Sequence, residues 1–168
     1  MKATFAGGCF WGIQKYFQEE FGKRGLLSSR TGYTGGVTPS PDYRQVCSGS
    51  TQHAEAVQLE YDPSQVDYES LVQFFFRLHD PTTANRQGND VGTQYRSEIF
   101  YHDATQKEIA EQVKAAYQAD PNVMRHYKEK TIQTKISPMQ QWWDAEDYHQ
   151  HYLVANPGGK GVPLFHHR

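Results

Sequence analysis

The sequence predicts a mixed α/β fold, and three observations support this class. Some segments have apolar residues at helical spacing, and others have the strict apolar–polar alternation of strands. The two kinds of segment follow one another along the chain. The 168 residues suit one domain that buries a substantial core. Two cysteines are too few for a disulfide framework, so packing has to hold that core together. We therefore expect a single domain over residues 1–168.

Charge and hydropathy exclude several classes of partner. The net charge is -2, and the Lys and Arg residues are scattered without a basic run, so nucleic acid and anionic membranes are not expected as partners. No apolar run approaches the length of a membrane span, and the amino end lacks the apolar region of a secretory signal. With two cysteines, a reducing compartment is expected, which predicts a soluble, cytoplasmic protein.

The first elements are a short strand, a tight turn and a helix. An apolar run over residues 3–6 meets Gly7 and Gly8, and Cys9 then opens a segment with helical spacing of apolar residues. Those apolar residues are Phe10, Ile13, Phe17 and Phe21.

Cys9 is a candidate nucleophile because of its position at the helix start. Unpaired backbone N–H groups and the positive end of the helix dipole stabilise a thiolate over a thiol there. The glycines Gly7, Gly8 and Gly12 would let another molecule approach the sulfur, and Phe10 and Trp11 would add apolar walls. The alternative is that Cys9 is a small apolar residue at a strand-to-helix corner.

Residues 22–43 are polar and Gly-rich, which predicts a turn followed by a long loop. Tyr33 and Tyr43 lie in it. Such phenols usually pack, but they can also donate a hydrogen bond to a developing oxyanion or to a polar S–O group. Cys47 follows without a helix start or cationic neighbours, so an idle thiol is the expectation for it.

Residues 53–61 alternate as a half-buried strand does. Counting by two from Val57 puts Glu55 on the apolar face. A carboxyl group on a core face tends to take up a proton, which makes Glu55 a candidate general acid. The alternative is a solvated Glu55 at a fraying strand end.

Residues 82–96 form a long polar segment with almost no apolar side chain. Loops of this length in compact domains are often functional. Its candidates are Asp90, Tyr95 and Arg96.

The remaining pattern supplies the other elements. Apolar spacing and capping residues predict helices over residues 67–78, 105–119 (with a capping box from Thr105 to Glu108) and 145–154, strands over 97–102 and 131–136, and an irregular Gly-rich tail over 156–161.

Metal and nucleotide motifs are not found in the sequence. His149 and His151, like His166 and His167, lack the spacing of zinc ligands, so no metal site is expected. Gly-rich phosphate and dinucleotide loops and Gly-x-Ser-x-Gly are also absent.

Several separated motifs occur in one order along the chain: GGCFWG, GYTGGVTPSPDYRQVCSG, HAEAV and RQGNDVGTQYRS, followed by EDYHQHYL and NPGG. Together they resemble the A-type peptide methionine sulfoxide reductases. The resemblance implies a two-layer sandwich with a mixed sheet and a ferredoxin-like split βαβ core. It also implies that Cys9 attacks the sulfoxide sulfur, while Phe10 and Trp11 form the pocket for the methyl group.

The same resemblance assigns the oxygen side of the reaction. Glu55 would protonate the sulfoxide oxygen, with Tyr43 and Tyr95 donating hydrogen bonds to it, and Asp90 would help to hold the substrate backbone. Attack would leave a sulfenic acid on Cys9 and release methionine, free or within a repaired protein.

One departure from the family concerns regeneration of the thiol. Many members carry further cysteines in the Gly-rich tail, whereas here no cysteine follows Cys47. Either Cys47 resolves the sulfenic acid on Cys9, or an outside thiol does so. We expect an outside thiol (thioredoxin, glutaredoxin or glutathione), no bound cofactor, and a monomer.

Two other functions stay open at the level of sequence. In a cysteine hydrolase or acyltransferase, His53 or His149 would activate Cys9, and Glu55 would have no role. In a peptide-binding module without catalysis, Phe10, Trp11 and Tyr43 would form the binding surface.

Overall fold

The computed structural model describes residues 1–155 of the protein. The strands are β1 (Lys2–Gly7), β2 (Leu26–Thr34), β3 (Ala54–Tyr61), β4 (Arg86–Gln87), β5 (Asp90–Val91), β6 (Ser97–Tyr101), β7 (Lys135–Pro138) and β8 (Trp143–Asp144). The helices are α1 (Phe10–Phe21), α2 (Tyr43–Cys47), α3 (Tyr68–Leu78), α4 (Ala104–Ala119), α5 (Pro121–His126) and α6 (Tyr152–Ala155), with 3-10 turns at Thr93–Tyr95 and Asp147–His149. None of the helices in this part of the chain is both long and apolar enough to cross a bilayer.

Six strands form one mixed sheet in the order β7-β6-β1-β3-β2-β8. β1 and β2 both run antiparallel to β3, which lies between them, and β3 and β6 both run antiparallel to β1. The units β1-α1-β2 and β3-α3-β6 are therefore two split βαβ units, as in ferredoxin-like folds. β7 adds to β6 in parallel. The predicted α/β class and split βαβ core are confirmed.

The main core lies between the sheet and the helices α1 and α3. Phe5 of β1 stacks on Phe17 of α1, with ring centroids 5.4 Å apart, and on Phe75 of α3 at 5.0 Å. Burial of such large apolar rings is the main stabilising contribution to this layer. The strand predicted over residues 53–61 and the helix predicted over residues 67–78 are confirmed.

The prediction of turn and loop over residues 22–43 is wrong for β2. Its polar side chains made it resemble a loop, but they bond the carboxyl-terminal part of the chain: Thr34 donates to the carbonyl oxygen of Gln141 at 2.8 Å. Gly32 lies beneath the indole ring of Trp142, which a Cβ atom would overlap. These long-range contacts give a weakly apolar segment its place in the sheet.

The carboxyl-terminal predictions also need correction. The strand predicted over residues 131–136 lies at Lys135–Pro138, because the amides of Ile132 and Gln133 bond Gln118 and Pro81 instead of a strand. The helix predicted over residues 145–154 is a 3-10 turn and a separate four-residue helix, divided by His151 with φ of 53°. The predicted Gly-rich tail lies outside the described residues.

The helix predicted over residues 105–119 is confirmed, but its predicted capping box is wrong. The N-cap is Asp103, whose carboxylate accepts from the backbone N–H of Gln106 at 2.8 Å. Asp103 and Thr105 are both good capping residues, and the sequence pattern did not distinguish between them.

Candidate active site

Cys9 is the N-cap residue of α1, and 6% of it is exposed. It follows the tight turn at the end of β1, where Gly8 has φ of 101°, a conformation that residues with a side chain rarely adopt. The corner thus places the thiol at the positive end of a twelve-residue helix.

Gly7 and Gly8 make room for the protein itself, which corrects, for these two of the three glycines near Cys9, the expectation that they open a path to the sulfur. A Cβ on Gly8 would lie 2.7 Å from Cγ of Gln87, and one on Gly7 would lie 3.0 Å from the ring of Phe75. Gln87, which packs against this corner, also closes the loop 79–88, because its side-chain amide bonds the backbone N–H and C=O of Asp80, both at 2.8 Å.

Glu55 lies on β3 and is 1% exposed. It shares the apolar face with Val57 and Leu59, as the alternation predicted, so the alternative of a solvated strand end is wrong. Its Oε1 atom accepts from the backbone N–H of Phe10 at 3.2 Å. The carboxyl group therefore sits at the first N–H of α1, one residue from Cys9.

Two phenols and a thiol form a cluster near Glu55. The hydroxyls of Tyr43 and Tyr95 both hydrogen-bond the sulfur of Cys47. Burial raises the pKa of both phenols far above its ordinary value, and Glu55, once ionised, would raise it further. Both side chains are therefore neutral hydrogen-bond donors at neutral pH.

Cys47 is half-buried, and burial raises the pKa of its thiol. The hydrogen bond from Tyr43 offsets part of this increase, and the charges of Glu55 and Asp90 raise the pKa further. Asp90 lies on the short hairpin of β4 and β5. The structure thus brings Tyr43 and Tyr95 close to Glu55, and Asp90 close to Cys47 and Tyr95.

Phe10 and Trp11 follow Cys9 directly in the first turn of α1. Phe10 is fully buried, whereas Trp11 is half-buried. The indole of Trp11 stacks on Tyr152 with ring centroids 3.9 Å apart, and its Nε1–H donates to Nδ1 of His149 at 2.9 Å. The carboxyl-terminal segment thus forms part of the aromatic surface next to the thiol.

His149 is a site residue to which the sequence gave a role only in the alternative of a cysteine hydrolase, as a base for Cys9. It is 2% exposed, and its ring packs on Tyr43 at 4.5 Å and on Phe10 at 5.3 Å. Because Nδ1 accepts from Trp11, the neutral ring carries its hydrogen on Nε2, which has no hydrogen-bond partner within residues 1–155. Burial lowers the pKa of this imidazole, so it is neutral at pH 7. The motif EDYHQHYL was the one available signal.

Glu146 connects β2 to the start of α2. Its carboxylate accepts from the hydroxyl of Tyr33 at 2.9 Å and from the backbone N–H of Tyr43, the first residue of α2, at 3.1 Å. Burial alone would raise the pKa of Glu146, but hydrogen bonds from its own backbone N–H, from the N–H of Tyr43 and from the hydroxyl of Tyr33 together outweigh burial and leave the pKa below its ordinary value. Tyr33 therefore supports Tyr43 through Glu146.

Two other candidates have structural partners. His53 accepts from the N–H of Gly36 through Nδ1 at 3.0 Å and donates to the carbonyl oxygen of Thr38 through Nε2 at 2.7 Å, so neither ring nitrogen is available as a base for Cys9. Arg96 forms a buried ion pair with Glu98 at 2.7 Å. Among the described residues no three His, Cys, Asp or Glu side chains group as metal ligands would.

Comparison with known proteins identifies the family. The sequence profile of "Peptide methionine sulfoxide reductase" matches residues 1–164. A "Probable peptide methionine sulfoxide reductase" of Schizosaccharomyces pombe is 48% identical over 158 residues, 94% of this chain and 90% of that protein. The "Peptide methionine sulfoxide reductase MsrA" of Chromobacterium violaceum is 48% identical over 155 residues, 92% of this chain and 84% of its own length.

Solved structures agree. Reduced Mxr1 from Saccharomyces cerevisiae matches with a TM-score of 0.88 and 36% identity over 99% of this chain and 91% of the other. Mxr1 in complex with Trx2 matches with a TM-score of 0.63 and 26% identity over 98% and 86%. A match of sequence and fold over nearly the whole length leaves one assignment: this chain belongs to the peptide methionine sulfoxide reductase family.

Proposed function

We propose that this protein reduces methionine S-sulfoxide, free or in oxidised proteins and peptides, to methionine at the expense of an external thiol. The observation that carries the proposal is the position of Glu55, whose carboxyl accepts from the first N–H of α1 beside Cys9. A thiol at a helix start and a buried acid next to it are the two groups that this chemistry needs.

In the proposed reaction the Cys9 thiolate attacks the sulfoxide sulfur. Glu55 donates a proton to the sulfoxide oxygen, and the neutral phenols of Tyr43 and Tyr95 donate hydrogen bonds to it. The oxygen ends on the Cys9 sulfur as a sulfenic acid. The methionine sulfur gains two electrons, and the cysteine sulfur loses two.

The aromatic residues next to Cys9 would bind the rest of the substrate. Phe10 and Trp11 are proposed to contact the methyl group, and Asp90 to help hold the substrate backbone. The buried Nε2–H of His149 is a donor suited to an acceptor on a bound substrate, since it has no partner in the described part of the chain.

Regeneration of Cys9 is proposed to use an outside thiol and no resident cofactor. A thiol attacks the sulfenic acid and releases water, and a second thiol then releases Cys9 as a disulfide forms. Cys47 is poorly suited to the first step, because burial favours its neutral thiol form. The Mxr1 structure with Trx2 supports thioredoxin as one reductant; glutaredoxin and glutathione are the others proposed.

The proposal includes a monomeric protein, one domain over the whole chain, and a cytoplasmic location. Two cysteines are too few for a disulfide framework, which suits a reducing compartment.

The test uses a methionine sulfoxide peptide prepared as separate S and R epimers, with dithiothreitol as reductant. We expect consumption of the S epimer, no consumption of the R epimer, and no reaction of either with the Cys9→Ser variant. Equal consumption of both epimers, or turnover by Cys9→Ser, would contradict the proposal. An acyl-enzyme detected by mass spectrometry would favour a cysteine hydrolase instead.

The route of regeneration needs its own measurement. The protein is given substrate without reductant, and the product is analysed by mass spectrometry after trapping of sulfenic acid with dimedone. We expect a dimedone adduct on Cys9. A Cys9–Cys47 disulfide in its place would show that Cys47 is the resolving residue.

A further inference from the structure

The segment Ala145–Leu153, which we call the strap, brings His149 and Tyr152 onto Trp11. Apart from the 3-10 turn Asp147–His149 and the start of α6 it has no regular structure, and the positive φ of His151 separates those two pieces. One backbone hydrogen bond, from the N–H of Ala145 to the carbonyl oxygen of Thr31 at 3.0 Å, joins the start of the strap to the sheet. Further along, side chains attach the strap to the rest of the protein.

Gln150 attaches the strap to β2. Its Oε1 accepts from the backbone N–H of Thr31 at 2.8 Å, and its Nε2 donates to the carbonyl oxygen of Thr31 at 2.9 Å. β8 pairs with β2 at Gly32 and Tyr33, and the backbone N–H of Ala145, the next residue, donates to the carbonyl oxygen of Thr31 at 3.0 Å. The Gln150 amide pairs with Thr31 at this end of the ladder, and its Nε2 also donates to the carbonyl oxygen of Ala145 at 3.1 Å. This pairing needs a donor and an acceptor at once, which an amide supplies and a carboxylate does not.

Gln14 attaches the next residue of the strap to α1. It is 1% exposed, and its Oε1 accepts from the backbone N–H of His151 at 2.6 Å. Its Nε2 donates to the carbonyl oxygen of Ser29 in β2 at 3.2 Å. One buried amide thus joins α1, β2 and the strap, directly between His149 and Tyr152.

We propose that Gln150 and Gln14 are positioning residues for the substrate pocket, because they hold the strap and thereby seat His149 and Tyr152 against Trp11. The inference rests on the proposed function, in which Trp11 binds the substrate. The reacting groups Cys9 and Glu55 lie outside the strap, and Glu146, which supports Tyr43, has its own hydrogen bonds to Tyr33 and Tyr43. We therefore expect loss of the Gln150 contacts to weaken substrate binding more than the chemical step.

The kinetic test compares Gln150→Ala with the wild-type protein on an S-sulfoxide peptide at saturating dithiothreitol. We expect KM to rise about tenfold, because the free energy of about one net hydrogen bond is lost from substrate binding. We expect kcat to stay within about twofold. Gln150→Glu should behave like Gln150→Ala, because its second oxygen faces the carbonyl oxygen of Thr31. The control is Gln141→Ala, since Gln141 is exposed and its amide meets the carbonyl of Trp142 at 3.5 Å.

A spectroscopic test does not depend on activity. The indole N–H of Trp11 gives a resonance in a ¹H–¹⁵N spectrum, identified by its loss in Trp11→Phe. In Gln150→Ala we expect this resonance to move from its wild-type position towards the one it has in His149→Ala, where the acceptor is removed. If the wild-type protein reduces no sulfoxide, the proposed function fails, while the indole shift still decides whether Gln150 seats the strap.

Two results would overturn the inference: a Gln150→Ala variant with wild-type KM and an unmoved indole resonance, or one in which kcat falls while KM is unchanged. If Gln150→Ala does not fold, Gln150→Asn is measured in the same way. Its amide is one methylene shorter and cannot reach both groups of Thr31, so wild-type behaviour of that variant overturns the inference equally.

Discussion

Cys9 and Cys47 carry the same thiol group at opposite ends of two helices. Cys9 is the N-cap of the twelve-residue α1, where the backbone N–H groups point, and Glu55 lies beside it. Cys47 is the last residue of the five-residue α2, where carbonyl groups point, and it is held by the hydroxyls of Tyr43 and Tyr95. Helix ends of opposite polarity favour opposite protonation states of a thiol. The local backbone therefore decides which cysteine is suited to attack.

The largest effect is expected from the two serine variants. Cys9→Ser should lose at least about four orders of magnitude in kcat/KM, because the nucleophile is removed. Cys47→Ser should stay within about twofold of the wild type with dithiothreitol as reductant. The measurement is sulfoxide reduction on the S-epimer peptide. Comparable losses in both variants would break the distinction between the two cysteines.

The next effect concerns the acid beside Cys9. Glu55→Gln should lower kcat by about two to three orders of magnitude, the usual contribution of one general acid. Glu60→Gln is the matched control, since Glu60 lies on the same strand with its side chain half-exposed on the other face. Full activity of Glu55→Gln would show that Glu55 is not the proton donor.

A smaller effect is expected from the phenols around Cys47. Tyr43→Phe and Tyr95→Phe should each lower kcat by about tenfold, because each loses one hydrogen bond to the sulfoxide oxygen. Tyr148→Phe serves as control, because Tyr148 is 63% exposed and its hydroxyl meets Glu146 at 3.5 Å. If the double variant were no worse than either single variant, the two phenols would act as a unit and not as separate donors.

The smallest expected effect is on the rate at which Cys47 is alkylated. Alkylation of Cys47 by iodoacetamide, followed in the Cys9→Ser background, should be slower at pH 8 than that of a cysteine in an unfolded peptide, because burial raises the pKa of this thiol. Its rate should still be increasing with pH above that value, where the thiolate begins to form. A rate that levels off below pH 8 would mean that Cys47 is a thiolate in the folded protein.

The spacing of apolar residues predicted an element correctly where that element buries one apolar face of its own. The helical spacing after Cys9 and the alternation from His53 to Tyr61 predicted α1 and β3, and the latter put Glu55 on the apolar face. Local pattern failed for β2 and for the strap, whose residues are polar and bond partners more than a hundred positions away, such as Thr31 with Gln150. A pattern within a short window carries no information on such pairs.

The amino-acid sequence by itself determined the α/β class, the family motifs, and the identity of a cysteine at a helix start and a glutamate on a core face. Only the tertiary structure decided that Glu55 meets the first N–H of α1, that Cys47 lies between two phenols, and that His149 and Tyr152 cover Trp11. The physical reason is that periodicity reports which face of an element is buried, whereas the partner on that face depends on sheet order and on chain segments far apart in sequence.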